Sequence, residues 1–286
     1  MAWLFDLVAG PFKFTEGPVW NGQSVLFSDI PNDRIMRYDP RSGECTEFRT
    51  NTNGTNGLTL DRQGRLYACE SRGRRVVRHE TDGSTTVLAD HFEGKRLNSP
   101  NDIVVDARGR VWFTDPCYGD RAQMELDHDS VYRLDPRSDG GHDITRVTFD
   151  TTRPNGLVFS PDEQTLYLAE SPPAPDGRRQ LRAYPVRADG TLGDMTILHD
   201  FGLNRGIDGM RIDAEGNVVA AAGWDKGGPG PRIAVFAPDG TVLADHPVPN
   251  NPTNCTFGDE DLRTLYVTDY AGSLYRARTD RVGPRR

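Results

Sequence analysis

A hairpin that recurs six times constrains this 286-residue chain more than any other feature. Each copy opens on a polar residue, runs through a short apolar strand, turns on a polar cluster and returns through a second strand. The leading residues are Glu16, Asn56, Asn101, Asn155, Asp208 and Asn254. The aligned apolar residues of the second strands (Leu26, Leu66, Val111, Leu166, Val218, Leu265) follow them by 10, 10, 10, 11, 10 and 11 positions. Starts are separated by 40, 45, 54, 53 and 46 residues, close to the period of four-stranded propeller blades. Third strands follow, as in Val131-Tyr132-Arg133-Leu134, and fourth strands after them, as in Thr86-Val87-Leu88-Ala89. The sixth copy runs out of chain after its third strand, while an apolar run at 4–9 precedes the first copy and has no other partner. The expectation is an all-β, six-bladed β-propeller, one domain over 1–286, closed by the N-terminal strand as the outer strand of the last blade, which removes a free edge.

Composition narrows the partners. A net charge of −8 with no basic stripe points away from nucleic acid. No stretch approaches eighteen apolar residues, so no membrane span is expected. The N-terminal run lacks a basic region and carries Asp6, unlike a signal peptide. Cys45, Cys69, Cys117 and Cys255 lie far apart, without zinc spacing or a disulfide framework, which predicts a reducing, cytoplasmic setting. A small-molecule substrate and a monomer or weak homo-oligomer complete this expectation.

In a propeller the first strand of each blade is innermost, so the six leading residues are expected to converge at one mouth of the central channel. Two carboxylates and four carboxamides would meet there, all of them oxygen donors. Unpaired buried carboxylates are costly; one divalent cation would neutralise Glu16 and Asp208 together. Oxygen-only donors favour Ca2+, with Mg2+, Mn2+ or Zn2+ as alternatives, zinc being disfavoured by the lack of His or Cys at a leading position. The competing reading is that Asn before Gly only makes a turn, which suits Asn56-Gly57 but not Glu16. A second ring is expected from the second-strand ends Asp29, Glu70, Asp115, Glu170 and Asp269, with Ala222 breaking the pattern in blade five. Insertions at 116–129, 171–179 and 223–231 leave from the same face, where binding loops gather. Asp115 borders the longest of them, and the loop with Cys117 and Tyr118 is expected to form part of a lid. Arg153 and Arg205 shortly precede two leading residues and either hold an anionic substrate or are solvated.

The stretches TEGPVW from Thr15, SPNDIVVDARGRVWFTDP from Ser99, RPNGLVFSPDEQTLYLAES from Arg153, DGMRIDAEGN from Asp208 and TNCTFGDEDLRTLYVTD from Thr253 resemble the senescence marker protein, gluconolactonase and luciferin-regenerating enzyme family. The resemblance implies a calcium-dependent lactonase propeller. It implies metal ligation by Glu16, Asn155 and Asp208, with Asp208 also the catalytic proton acceptor. It implies that Asn101 contacts substrate or metal. Asp115, Ser99, Arg153 and Tyr118 are the further substrate-binding candidates. Ser99 stands where some animal lactonases carry Arg, Ile207 where many members carry Pro, and Arg211 where phosphofluoridate-hydrolysing relatives carry Asp. The expected function is metal-dependent hydrolysis of a sugar-acid lactone such as gluconolactone. The alternatives are a biosynthetic or esterase-like enzyme for a larger lactone or ester, and a binding module with a structural ion.

Overall fold

The structure, a computed structural model, describes residues 2–285 apart from 173 and 175. Six four-stranded antiparallel sheets follow one another around a ring. Their innermost strands are Thr15–Trp20, Thr55–Leu60, Ile103–Val105, Pro154–Phe159, Ile207–Ile212 and Pro252–Gly258, and successive ones pack against each other. Each second strand is the one expected from the hairpin spacing: Val25–Asp29, Leu66–Glu70, Val111–Asp115, Thr165–Glu170, Val218–Ala222 and Thr264–Asp269. These strands are almost wholly buried, because neighbouring blades cover both faces of each sheet.

The last blade has the order Asp6–Ala9, Leu274–Arg278, Thr264–Asp269, Pro252–Gly258, so the N-terminal strand closes the ring as expected. The anchor differs from the one the apolar run suggested. Leu4 and Leu7 face solvent, whereas Trp3 is buried and stacks on His246 with ring centroids 3.8 Å apart. Its indole nitrogen donates to Asp280 Oδ1 at 2.8 Å. A small hairpin of His91–Phe92 and Lys95–Arg96 before blade three lies outside the six-fold pattern. Among the described residues no helix is long and apolar enough to cross a membrane.

Five of the six innermost strands carry one extra residue beside the leading position. Glu16 pairs with Ser28 and Val19 with Leu26, and the same slip recurs in blades two, four, five and six. A bulge re-aims the side chain it displaces. The repeated slip lets the leading residue turn to the axis while the rest of the strand keeps its faces in register. The following glycines have a packing reason as well. A Cβ on Gly17 would collide with the Asn56 carbonyl, on Gly57 with that of Asn101, on Gly156 with that of Asp208, and on Gly209 with the Asn254 side chain. Each of the four therefore lets the next blade's leading residue approach the axis. Only Asp102 and Cys255, in opposite blades, replace glycine at this place.

Candidate active site

The six leading residues meet at one mouth, and four blades join them hand to hand. Asn56 Nδ2 donates to Asn101 Oδ1 at 2.5 Å, Asn101 Nδ2 to Asn155 Oδ1 at 2.7 Å, and Asn155 Nδ2 to Asp208 Oδ1 at 2.8 Å. From the other side Asn254 Nδ2 donates to Glu16 Oε2 at 3.0 Å, which also accepts from the Gly17 backbone. The carboxamides are polarised in one sense, N–H toward acid, so both arcs end on a carboxylate. Turn formation alone does not account for this arrangement.

The acids are strained electrostatically. Glu16 is held well above the ordinary carboxylate range by burial, then by the charges of Asp208 and Asp102. Asp208 is also raised by burial, against the opposing pull of Arg205 and Asn155. Asp102, one residue past Asn101, is buried with Oδ2 unpartnered, and burial raises it too. Among the described residues no three His, Cys, Asp or Glu side chains gather into a metal site by themselves. The converging donors are instead two carboxylates supplemented by carboxamide oxygens, each with a second lone pair. Such an acid-rich set of hard oxygen donors fits a divalent cation.

The second ring has a structural job. Asp29 Oδ1 accepts from the Lys13 backbone at 3.2 Å, Glu70 Oε2 from the Asn53 side chain at 3.1 Å, Asp115 Oδ2 from the Asn98 backbone at 2.8 Å, and Glu170 Oε1 from the Thr152 backbone at 2.9 Å. Each of these partners stands three residues before a leading residue, so the carboxylates pin the chain as it enters the innermost strand. Asp115 is fully buried against Asp129 and Asn98, beneath the lid loop rather than in the mouth, and burial pushes its carboxyl up to about 8. Ser99 ties the same turn to the lid through Oγ–H to the Pro116 carbonyl at 2.5 Å.

Above the ring stand two tyrosines from opposite blades. Tyr118 comes from the lid loop of blade three and Tyr270 follows the second strand of blade six, each about half exposed. Burial, then the Asp208 charge, holds the Tyr118 hydroxyl well up. Asp208, then burial, lifts Tyr270 to about 12. Both keep their protons at neutral pH. Arg153 lies over Tyr118 at 5.4 Å and Arg205 over Tyr270 at 4.9 Å. Residue type and spacing alone do not single out Tyr270; its place just past a second-strand end, as Tyr118 is in blade three, is the available signal. Two surface clefts of about 440 and 330 Å3, beside Trp20 and beside Phe149, include no leading residue.

A closed six-bladed ring whose mouth gathers buried acids, carboxamides and paired arginines and tyrosines is a propeller with an enzyme-like site. The chain belongs to the SMP-30/gluconolactonase/LRE-like family, whose signature matches residues 14–271. It is 32% identical to a gluconolactonase of Zymomonas mobilis over 97% of this chain and 82% of that one. It is 31% identical to a 6-deoxy-6-sulfogluconolactonase of Pseudomonas putida over 92% and 85%. The solved gluconolactonase XC5397 of Xanthomonas campestris superposes with a TM-score of 0.84 at 34% identity, covering 96% of this chain and 89% of that one.

Proposed function

We propose that this protein is a hydrolase that opens the ester bond of a sugar-acid lactone at the mouth lined by Glu16, Asn101, Asn155 and Asp208. The observation that carries the reading is the one-way chain of carboxamides ending on Asp208. Full-length likeness to gluconolactonases supports the same reaction class.

Glu16, Asn155 and Asp208 would hold one divalent cation, Ca2+ by the character of the donors, with Asn101 adjacent. Bound there, such an ion supplies Lewis-acid polarisation of the ester carbonyl. The chain's own residues do the rest. Asp208 takes a proton from an attacking water while the water oxygen adds to the carbonyl carbon. Arg205, 2.6 Å from Asp208 Oδ2, favours the ionised form that can act as base. Asn101 has a second N–H to offer the oxygen on which negative charge develops. Collapse breaks the ring C–O bond, and the proton returns from Asp208 to the departing alkoxide, leaving an open hydroxy acid. Tyr118 and Tyr270 orient sugar hydroxyls and narrow the water path. Asp115 and Ser99 serve by fixing the entry turn and the lid.

The test is a panel of five- and six-membered aldonolactones with metal-replete and chelated protein. Opening above the buffer rate that is lost on chelation is expected. If no lactone is opened, the reading falls in favour of a larger ester substrate or a binding module.

A further inference from the structure

We propose that Arg153, stacked on Tyr118, is an anion subsite at the rim of this mouth. The lactone taken would then carry an anionic group (carboxylate, phosphate or sulfonate) at the end remote from the ester. This inference rests on the lactonase reading and names the substrate class within it.

The structure separates two arginines that the sequence left equivalent. Arg205 is fully engaged: its guanidinium meets Asp208 Oδ2 at 2.6 Å, the Pro252 carbonyl at 2.9 Å and the Gly223 carbonyl at 2.5 Å. Arg153 has no ion-pair partner and no side-chain hydrogen bond among the described residues, and its Nε is buried without an acceptor. The carboxylate of Glu170 makes no ion pair with it, although Glu170 Oε2 itself accepts no hydrogen bond among the described residues. Glu170 Oε1 accepts from the Thr152 and Arg153 backbones, each at 2.9 Å, and from the Thr152 hydroxyl at 2.6 Å. Its Oε2 faces Arg182 at 3.7 Å.

A half-buried guanidinium with unmet donors calls for an acceptor from outside the chain. Tyr118 holds it by the face, which leaves the two Nη groups, rather than the buried Nε, free for a forked grip on an oxyanion. The subsite and the reacting end belong to one pocket. The Tyr118 hydroxyl feels Asp208, Arg153 and Glu16 together. Polarity then sets the direction of binding. An anionic group laid on the floor would meet Glu16 and Asp208, whereas at the rim it meets Arg153. The ester end therefore faces the acids and the charged end faces Arg153.

The experiment compares kcat/KM for three matched pairs, each a neutral hexonolactone and its counterpart bearing a 6-phosphate, a 6-carboxylate or a 6-sulfonate. It uses wild-type protein, Arg153→Gln and Arg153→Lys. Wild type should favour at least one charged lactone by about tenfold or more, chiefly through KM, as a charge-assisted pair would give. Arg153→Gln should collapse the charged-to-neutral ratio, Arg153→Lys should restore part of it, and added salt should erode it. The three arms show which oxyanion is preferred. Calorimetric titration of gluconate and 6-phosphogluconate into the same proteins needs no turnover and decides the subsite even if no lactone is opened. Equal use of neutral and charged lactones, or an Arg153→Gln variant that lowers both alike, would overturn the subsite and leave the lactonase reading standing.

Discussion

Arg205 Nη2 sits 2.6 Å from Asp208 Oδ2, three residues upstream of it, in the one blade whose second strand ends on Ala222 instead of an acid. Lys13, Asn53, Asn98 and Thr152 hold the same upstream place in blades one to four and are pinned there by a second-strand carboxylate. With no such acid in blade five, the arginine reaches inward and joins the axial site. One lost carboxylate on the second ring has thus become one cation on the first.

That cation would compete with the proposed divalent ion for Asp208. We predict that Arg205→Gln binds Ca2+ about tenfold more tightly at pH 8, since a neighbouring positive charge is removed. It should also lose affinity more steeply on acidification, because Asp208 without its arginine is protonated more readily. Calorimetry at pH 6 and pH 8 checks both signs, and unchanged affinity at pH 8 would refute the competition.

Glu16 gives a stability prediction with a definite sign. Its carboxyl is raised in the folded state, so folding favours its protonated form. The associated stability is present below the ordinary Glu value of about 4.3 and is lost as pH rises through the raised folded value. In chelator, Glu16→Gln should therefore gain thermal stability relative to wild type as pH increases from about 5 to 8. Saturating Ca2+ should stabilise wild type and shrink the difference. A melting-temperature difference flat across this range would show that the carboxylate is not strained.

For turnover, Asp208→Asn should lower kcat by about 100- to 10,000-fold, the usual worth of a positioned base. Asn101→Ala should fall less in kcat and more in KM, because it removes positioning and frees Asn155 Oδ1 from its donor. Steady-state kinetics on folded, metal-replete variants separates the two. Equal losses in both would leave Asp208 no special part in proton transfer.

Trp3→Ala should cost about 3–5 kcal/mol of stability, as expected for a buried aromatic. Leu4→Ser and Leu7→Ser, at exposed positions in the same segment, should change it little. Chemical denaturation of the three variants tests whether the segment is held by Trp3 or by its leucines.

The ring was legible because a strand pair at fixed spacing leaves a periodic record of apolar and polar residues, and six copies make that record hard to mistake. Closure was legible from the orphan run at 4–9, since a strand without a hairpin partner needs an edge. Trp3 was not legible: a single aromatic outside any period carries no signal until His246 is seen beside it. At the mouth, the bulged leading residues could be read off, but their one-way hydrogen bonding could not. It depends on how closely consecutive blades approach, and glycines such as Gly156 set that distance through contacts with the next blade. Arg153 and Arg205 looked alike in the sequence because their difference lies in partners from other strands.

The pairing of Asp6–Ala9 with Leu274–Arg278 joins the first strand of the ring to the last. On the ribosome, then, the growing chain is an open arc with two bare flanks: blade one facing a neighbour not yet translated, and a leading segment waiting for residue 274. Because Asp6–Ala9 pairs inside blade six, the ring cannot close until residues 274–278 have been made. Nascent chains arrested before residue 274 should be cut by protease at these open flanks, and the released chain should resist.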